Sequence, residues 1–165
     1  FLSATYLLEE LTDKYHHEVI LVANVRALVI CICTSINALS RATKEVAIDA
    51  IFGTNNIAME LHALLAELDG TGVPITYLFV EKVLTNETAP TGTITQILNR
   101  FLRPLQQSGL TPSFVDCEKD RSEINAAQQV WPLARVQLCF WHVKRSVQTK
   151  LKDLSKANSL AHYMP

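Results

Sequence analysis

The sequence predicts an α/β fold with a mixed β-sheet flanked by helices, and three observations support this. Three strand-like runs follow one another in the first half of the chain, helical and strand-like periodicities alternate in the second half, and turn residues separate these segments. The 165 residues, of which 48% are hydrophobic and 19% charged, suffice for one domain with a sizeable core. We expect residues 1–45 to be a flanking segment and residues 46–157 to form the domain.

The N-terminal flank has the weakest pattern. Residues 1–18 carry leucines on one side, as in a helix with polar flanks. The run VILVANVRALVICICTSI (19–36) is the only candidate for a membrane span, but Asn24 and Arg26 interrupt it, and a span needs about 20 mostly apolar residues. We therefore expect a buried strand or helix there and no membrane association.

The predicted sheet begins with three consecutive segments. VAIDAIF (46–52) is a short apolar run bounded by polar residues, which is typical of a buried strand. MELHALLAEL (59–68) is ambiguous, because its residues are strong helix formers and yet its apolar residues alternate. The turn DGTG (69–72) and the strand-like VPITYLFVEKV (73–83) after it favour a β-hairpin.

From residue 93 onward, helices and strands are predicted in alternation. Apolar residues recur at helical spacing over residues 93–108, and Gly109 is a suitable helix stop. The segments that follow are PSFVDCE (112–118) as a strand, residues 121–131 as a helix, RVQLCFWH (135–142) as a strand, and a basic helix from about Val143. This alternation after three strands predicts a mixed sheet.

Asp49 is the first candidate functional residue, because it lies inside the apolar strand predicted for residues 46–52. An unpaired carboxylate buried in a sheet costs free energy, so Asp49 needs a metal ion, a cation or hydrogen-bond donors. It is therefore a candidate metal ligand. The alternative is an aspartate held by a salt bridge or a turn.

The stretch VDCEKDRSE holds four further acids within eight positions. Asp120, followed three residues later by Glu123 and then by an apolar helical pattern, predicts a helix N-cap with a capping-box glutamate. Asp116 and Glu118 remain, and they share a face because strand side chains alternate. Either could meet the strand aspartate if the two strands are neighbours, and converging carboxylates form the oxygen-rich site that Mg²⁺ prefers.

Cys139 and His142, in the stretch LCFWH, are the next candidates. A tetrahedral zinc site needs four ligands, and Cys31 with Cys33 is the other available pair. One interpretation is a Cys3His zinc site, and the other is a core cysteine beside a strand-end histidine. The four cysteines contain no CxxC pair, which is typical of a protein from a reducing, intracellular compartment.

The net charge of −1 gives the chain no overall attraction to nucleic acid, so any such binding needs a local patch. The predicted C-terminal helix offers one, with five basic residues against the single acid Asp153, a local charge of +4. The basic residues are Lys144, Arg145, Lys150, Lys152 and Lys156. Such a patch can bind phosphates, although a charge run is also typical of a solvated helix face.

Three segments of this sequence together resemble the catalytic domain of Mutator-like element (MULE) transposases of the fungal type. The segments are IDAIFGTNN, MELHALLAELDGTGVPITYLFVE and EKDRSEINAAQQVWPLARVQLCFWHVKRSV, and the resemblance runs from about Val46 to Leu151. It implies an RNase H-like fold and DNA strand cleavage and transfer at transposon ends in the nucleus. The implied cofactor is Mg²⁺ or Mn²⁺, as two ions held by an Asp, Asp, Glu triad.

The resemblance also assigns roles by position. Asp49 matches the first acid, and Glu118 stands where the family usually has the second aspartate, with Asp116 as the alternative ligand. Cys139 and His142 match a Cys-x-x-His signature that supports the site, so zinc is not needed to explain them. The residues expected to contact DNA are Lys144, Arg145, Lys150 and Lys152.

The third acid of the triad has no match, because none of the residues after His142 is a glutamate. The resemblance therefore predicts a C-terminally truncated transposase core that is inactive as this chain. The alternative is a domesticated, non-catalytic module that binds DNA or protein. Whether the chain is an enzyme stays open at this point.

Overall fold

The structure is a computed structural model that describes residues 15–32, 36, 38–39, 42–51, 59–82 and 90–156. The strands in these ranges are β1 (Tyr15–Val22), β2 (Val25–Ile32), β3 (Glu45–Ile51), β4 (Glu60–Leu68), β5 (Thr71–Lys82), β6 (Phe114–Cys117) and β7 (Arg135–Leu138). The helices are α1 (Thr93–Gln107), α2 (Arg121–Val130) and α3 (Phe140–Lys156).

All seven strands form one mixed sheet in the order β1-β2-β5-β4-β3-β6-β7. The strands from β1 to β3 across this order pair antiparallel, whereas β6 pairs parallel to β3 and β7 parallel to β6. The predicted α/β fold with a mixed sheet is confirmed, but its antiparallel part has five strands, β1 to β5, and not the three that were predicted. Because β3 and β6 are parallel neighbours, their C-terminal ends meet at the same edge of the sheet.

The N-terminal part differs from the prediction. Residues 15–18, expected as the end of a helix, begin β1, and residues 1–14 lie outside the described residues. Residues 19–32 of the apolar run are divided between β1 and β2, which form a hairpin turning at Ala23, where φ is 52°, and residues 33–35 lie outside the described residues. Arg26, the charge inside that run, pairs with Glu81 on β5. No helix in the described ranges has the length and apolarity that a membrane span requires.

The hairpin of β4 and β5 confirms the preference for strand over helix at residues 59–68. Its turn is formed by Asp69 and Gly70, whose φ values of 50° and 80° are those of a type I′ turn, the conformation that Asp-Gly favours. The helix formers of β4 adopt a strand because β3 and β5 pair with it on both edges. Tertiary pairing thus overrides local propensity in this segment.

Helices α1 and α2 pack on one face of the sheet and enclose the core. The core-facing residues of α1 recur at helical spacing, as the sequence predicts: Ile97, Leu98, Phe101, Leu102 and Leu105. The helix stops at Gly109, where φ is 95°, and the Leu110 N–H donates to the Leu105 carbonyl at 3.0 Å. This is a Schellman motif, so the predicted glycine stop is confirmed.

The junction of β7 and α3 lies earlier than predicted. The strand expected over residues 135–142 ends at Leu138, because its ladder partner β6 ends at Cys117. The Cys139 N–H still donates to the Cys117 carbonyl at 2.9 Å, while the Cys139 carbonyl accepts the first helical bond from Val143 at 3.1 Å. His142 is therefore in the first turn of a helix and is not a strand-end histidine.

Candidate metal centre

Three side chains converge where β3 and β6 end. Asp49 lies near the end of β3, Glu118 directly follows β6, and His142 lies in the first turn of α3. The Nε2 atom of His142 is 3.2 Å from Oε1 of Glu118 and 3.7 Å from Oδ1 of Asp49. All three side chains are partly exposed, so a solvated ion or a phosphate group can reach them.

Glu118 is held at both its backbone and its side chain. Its Oε1 accepts a hydrogen bond from the Ala50 N–H at 3.3 Å, and its own N–H donates to Oε2 of Glu123 at 3.1 Å. Burial raises the pKa of the Glu118 carboxyl above its ordinary value, and the negative charges of Glu123 and Asp49 add to this. His142 and the Ala50 N–H act in the opposite direction on that pKa.

The carboxylate of Glu118 reaches the group despite being one methylene longer than the aspartate expected there. Asp116, the alternative second ligand, does not join it. Asp116 pairs with Ala47 in the ladder of β3 and β6, and Ala47 is two residues before Asp49 on β3. The carboxyl group of Asp116 is hydrogen-bonded to Glu45. That hydrogen bond, with burial and further repulsion from Asp116, raises the pKa of Glu45.

The Cys3His zinc interpretation fails on distance. Cys31 is buried in β2 with its Sγ 3.2 Å from the Thr76 hydroxyl, and β2 lies five strand positions from β7 in the sheet. At about 4.8 Å per strand, Cys31 is roughly 24 Å from Cys139. Cys33 lies outside the described residues. Cys139 itself is not part of the group formed by Asp49, Glu118 and His142.

The donor set of this group fits a divalent cation. Two carboxylates and an imidazole offer one ligand atom each within 4.8 Å of one another. Ligand atoms at right angles around an ion at about 2.1 Å lie about 3 Å apart, close to the observed separations from His142 Nε2. In the part of the chain that the structure describes, no third carboxylate joins the group.

A basic groove of about 390 Å³ adjoins the centre and shares His142 with it. It is lined by Lys119, His142, Arg145, Ser146, Thr149 and Lys150. Of the four residues predicted to contact DNA, only Arg145 and Lys150 line this groove. At 100° per residue, Lys144 lies about 160° around α3 from His142. Lys119 also lines the groove, and no sequence pattern had singled it out.

The first turn of α3 carries an exposed aromatic ring that contacts two of its neighbours. Trp141 is 56% exposed and meets the His142 ring edge to face, with centroids 4.8 Å apart. The Arg145 guanidinium lies 5.1 Å from the centroid of Trp141. The distance is that of a cation–π interaction, and Arg145 and Trp141 line one pocket together with Asp49 and Glu118.

Glu123 differs from its predicted role. Asp120 is the N-cap of α2 and accepts from the Ser122 N–H at 2.6 Å, as predicted. Glu123, predicted to complete a capping box at Asp120, instead accepts from the N–H of Glu118. It is fully buried and lies beside His62, another buried polar residue. No sequence pattern had singled out His62, because the apolar alternation of this strand was assigned to Met59, Leu61, Ala63 and Leu65.

The family model for the MULE transposase domain matches residues 45–146, which is well over half of the chain and includes Asp49, Glu118 and His142. The chain belongs to the MULE transposase domain family. No curated protein matches the chain. Membership of this family gives the MULE domain a transposase-related function, in which interaction with DNA and use of divalent metal ions are general features.

Proposed function

We propose that this MULE domain is the RNase H-like, DDE-type core of a transposase and binds a divalent cation and DNA side by side. The observation that carries this proposal is the convergence of Asp49, Glu118 and His142 at the ends of two parallel strands, next to a basic groove. Mn²⁺ or Mg²⁺ is the cation, held by these three side chains. The DNA of transposon ends, in the nucleus, is the proposed partner.

The chemistry follows from charge and position. When bound, the divalent ion supplies Lewis-acid chemistry at a phosphodiester, favouring attack by water or a 3′-hydroxyl. Arg145 and Lys150 bind the phosphates that flank the reacting one, and Lys119 approaches from the other wall of the groove. Asp49, Glu118 and His142 would be the ligands, and because His142 also lines the groove, the cation would lie next to the bound phosphates.

Binding is supported more strongly than cleavage. Two carboxylates and one imidazole meet at the centre, whereas the DDE type of chemistry uses three carboxylates. We therefore propose that this 165-residue chain, assayed alone, binds Mn²⁺ and DNA but does not nick DNA. A non-catalytic, transposase-derived DNA-binding module is the second candidate, and the basic groove favours it equally.

The experiment is a titration of fluorescent duplex DNA with the purified chain at several salt concentrations, with and without Mn²⁺. Because the groove neutralises phosphates, log affinity falls linearly with log salt, and Lys150→Ala lowers the slope by about one. Arg145→Ala has a similar effect. Mn²⁺ raises DNA affinity in the parent chain and has no effect in Asp49→Ala, since Asp49 would help to hold a positive ion beside the phosphate-binding groove.

Lys144→Ala is the matched control, because it removes the same charge from the same helix on the side away from the groove. We expect Lys144→Ala to bind DNA within about twofold of the parent. Equal losses for Lys144→Ala and Lys150→Ala would contradict the groove as the binding surface. Nicking of DNA by the parent chain, abolished in Asp49→Ala, would contradict the proposed inactivity.

A further inference from the structure

A histidine and a glutamate face each other in the core directly beneath the candidate metal centre. His62 on β4 is 1% exposed, and Glu123 on α2 is 0% exposed. The Nδ1 atom of His62 is 3.4 Å from Oε1 of Glu123, which is an ion-pair distance without hydrogen-bond geometry. The pair lies on the helix-covered face of the sheet, whereas Asp49 points to the opposite face.

Glu123 connects this pair to the centre through the backbone. Its second oxygen, Oε2, accepts the hydrogen bond from the Glu118 N–H at 3.1 Å. The partner of His62 in the ladder of β3 and β4 is Ala50, whose N–H holds the Glu118 side chain at 3.3 Å. The backbone of Glu118 is thus held by Glu123, and its carboxylate is held by Ala50, the ladder partner of His62.

The N-terminus of α2 is capped without Glu123. Asp120 already caps α2, and an apolar side chain at this core position would avoid the cost of burying a carboxylate. Burying a histidine and a glutamate together costs folding free energy unless their polar atoms are hydrogen-bonded. Oε2 of Glu123 is hydrogen-bonded to the backbone N–H of Glu118.

We propose that Glu123, buried beside His62, is a positioning residue that fixes the backbone of Glu118 and so aims its carboxylate at the cation. The inference rests on the proposed metal centre. Groups behind a metal ligand commonly change metal affinity by roughly 10- to 100-fold when removed, since they restrict where the ligand can go. Glu123 acts through Glu118 and does not contact the cation itself.

The test compares three variants of the full chain with the parent. The double variant His62→Leu with Glu123→Leu removes the carboxylate and its partner together, so no single charge is left buried. Glu123→Asp keeps a carboxyl group beside His62 but withdraws the acceptor from the Glu118 N–H by one methylene. Glu123→Gln keeps both the length and an oxygen that can accept from Glu118.

Two quantities are measured on each variant: Mn²⁺ affinity by calorimetry, and hydrogen exchange of the Glu118 amide by NMR in the absence of metal. We expect Mn²⁺ affinity to fall at least about tenfold in the double variant and in Glu123→Asp, and to stay within about threefold of the parent in Glu123→Gln. Exchange of the Glu118 amide accelerates in the first two variants and stays slow in Glu123→Gln.

The results separate this inference from the metal proposal. Folded variants whose Mn²⁺ affinity and Glu118 amide exchange both match the parent would overturn the positioning role and leave the metal centre standing. Mn²⁺ binding that survives Asp49→Ala would overturn the metal centre, and the positioning role with it. If the double variant does not fold, the contrast between Glu123→Asp and Glu123→Gln decides the matter by itself.

Discussion

At the scale of single residues, the main result concerns Glu118, at the position where the resemblance leads us to expect an aspartate. The longer side chain does not take its carboxylate out of the group, because Oε1 is 3.2 Å from His142 Nε2 and is held by the Ala50 N–H. The Ala50 N–H and His142 therefore suit the length of a glutamate side chain at this position.

This predicts that replacing Glu118 by the expected aspartate will weaken the centre. Glu118→Asp withdraws the carboxylate by about 1.5 Å. It loses the Ala50 hydrogen bond and moves away from His142, so Mn²⁺ affinity falls roughly tenfold. Calorimetric titration of parent and variant measures this. Glu118→Gln, which keeps the length and loses the charge, is the control and also binds weakly. Tighter Mn²⁺ binding by Glu118→Asp would show that the glutamate is misplaced.

At the scale of elements, short-range rules succeeded where the chain is governed by its neighbours in sequence. Asp120 as the N-cap of α2, Gly109 as the stop of α1 and Asp69-Gly70 as a hairpin turn were all predicted and are all present. Each of these features depends on residue types and hydrogen bonds within a few positions, so it can be predicted from the local sequence alone.

The N-cap of α2 also gives an element-scale prediction. Asp120→Ala removes the acceptor of the Ser122 N–H and costs about 1 kcal/mol of unfolding free energy. Urea denaturation of parent and variant measures the loss. Asp120→Asn is the matched control, because asparagine caps nearly as well, and it keeps most of the stability. Equal stability of the alanine variant and the parent would mean that the cap contributes nothing to α2.

Elements that depend on distant partners were predicted less well. The aromatic residues of LCFWH favour a strand by propensity, yet β7 ends at Leu138 because its partner β6 ends at Cys117. That early end puts His142 in a helix and turns its ring toward Asp49 and Glu118. The N-terminal segment failed for a similar reason, since β1 is a strand through its pairing with β2.

At the scale of the whole molecule, the sheet order decides which candidate residues can meet. It brings β3 and β6 together, which the sequence allowed but could not establish, and it separates Cys31 from Cys139 by most of the sheet. The alternation of strand side chains predicted a common face for Asp116 and Glu118, but Asp116 is paired with Ala47 in the ladder and lies beside Glu45, away from the group. The pair of His62 and Glu123 joins residues 61 positions apart, so no local pattern could reveal it.

The buried core also predicts how stability depends on pH. Burial, with smaller effects of Glu123 and Asp116, raises the pKa of the Cys117 thiol from 9.0 to about 12. Because the thiol ionises more readily in the unfolded chain, the stability that the buried, protonated thiol contributes is fully present below about pH 9. This contribution to the free energy of unfolding is lost as pH rises toward 12. By about pH 10.5 the loss is about 2 kcal/mol of unfolding free energy.

Denaturation of the parent and of Cys117→Val at about pH 8 and about pH 10.5 isolates this effect, since valine is apolar, of similar size and does not ionise. We expect the parent to lose about 2 kcal/mol more than the variant between the two pH values. Parallel losses in the two proteins would show that the Cys117 thiol titrates as freely in the folded state as in the unfolded one.

The central claim is that Asp49, Glu118 and His142 hold one divalent cation, and paramagnetic broadening by Mn²⁺ in amide NMR spectra tests it most directly. We predict that substoichiometric Mn²⁺ broadens the amide signals of these three residues first, while those of β1 and β2, at the far side of the sheet, stay sharp. Broadening centred on Glu45 and Asp116, or spread evenly over exposed acids, would contradict the claim.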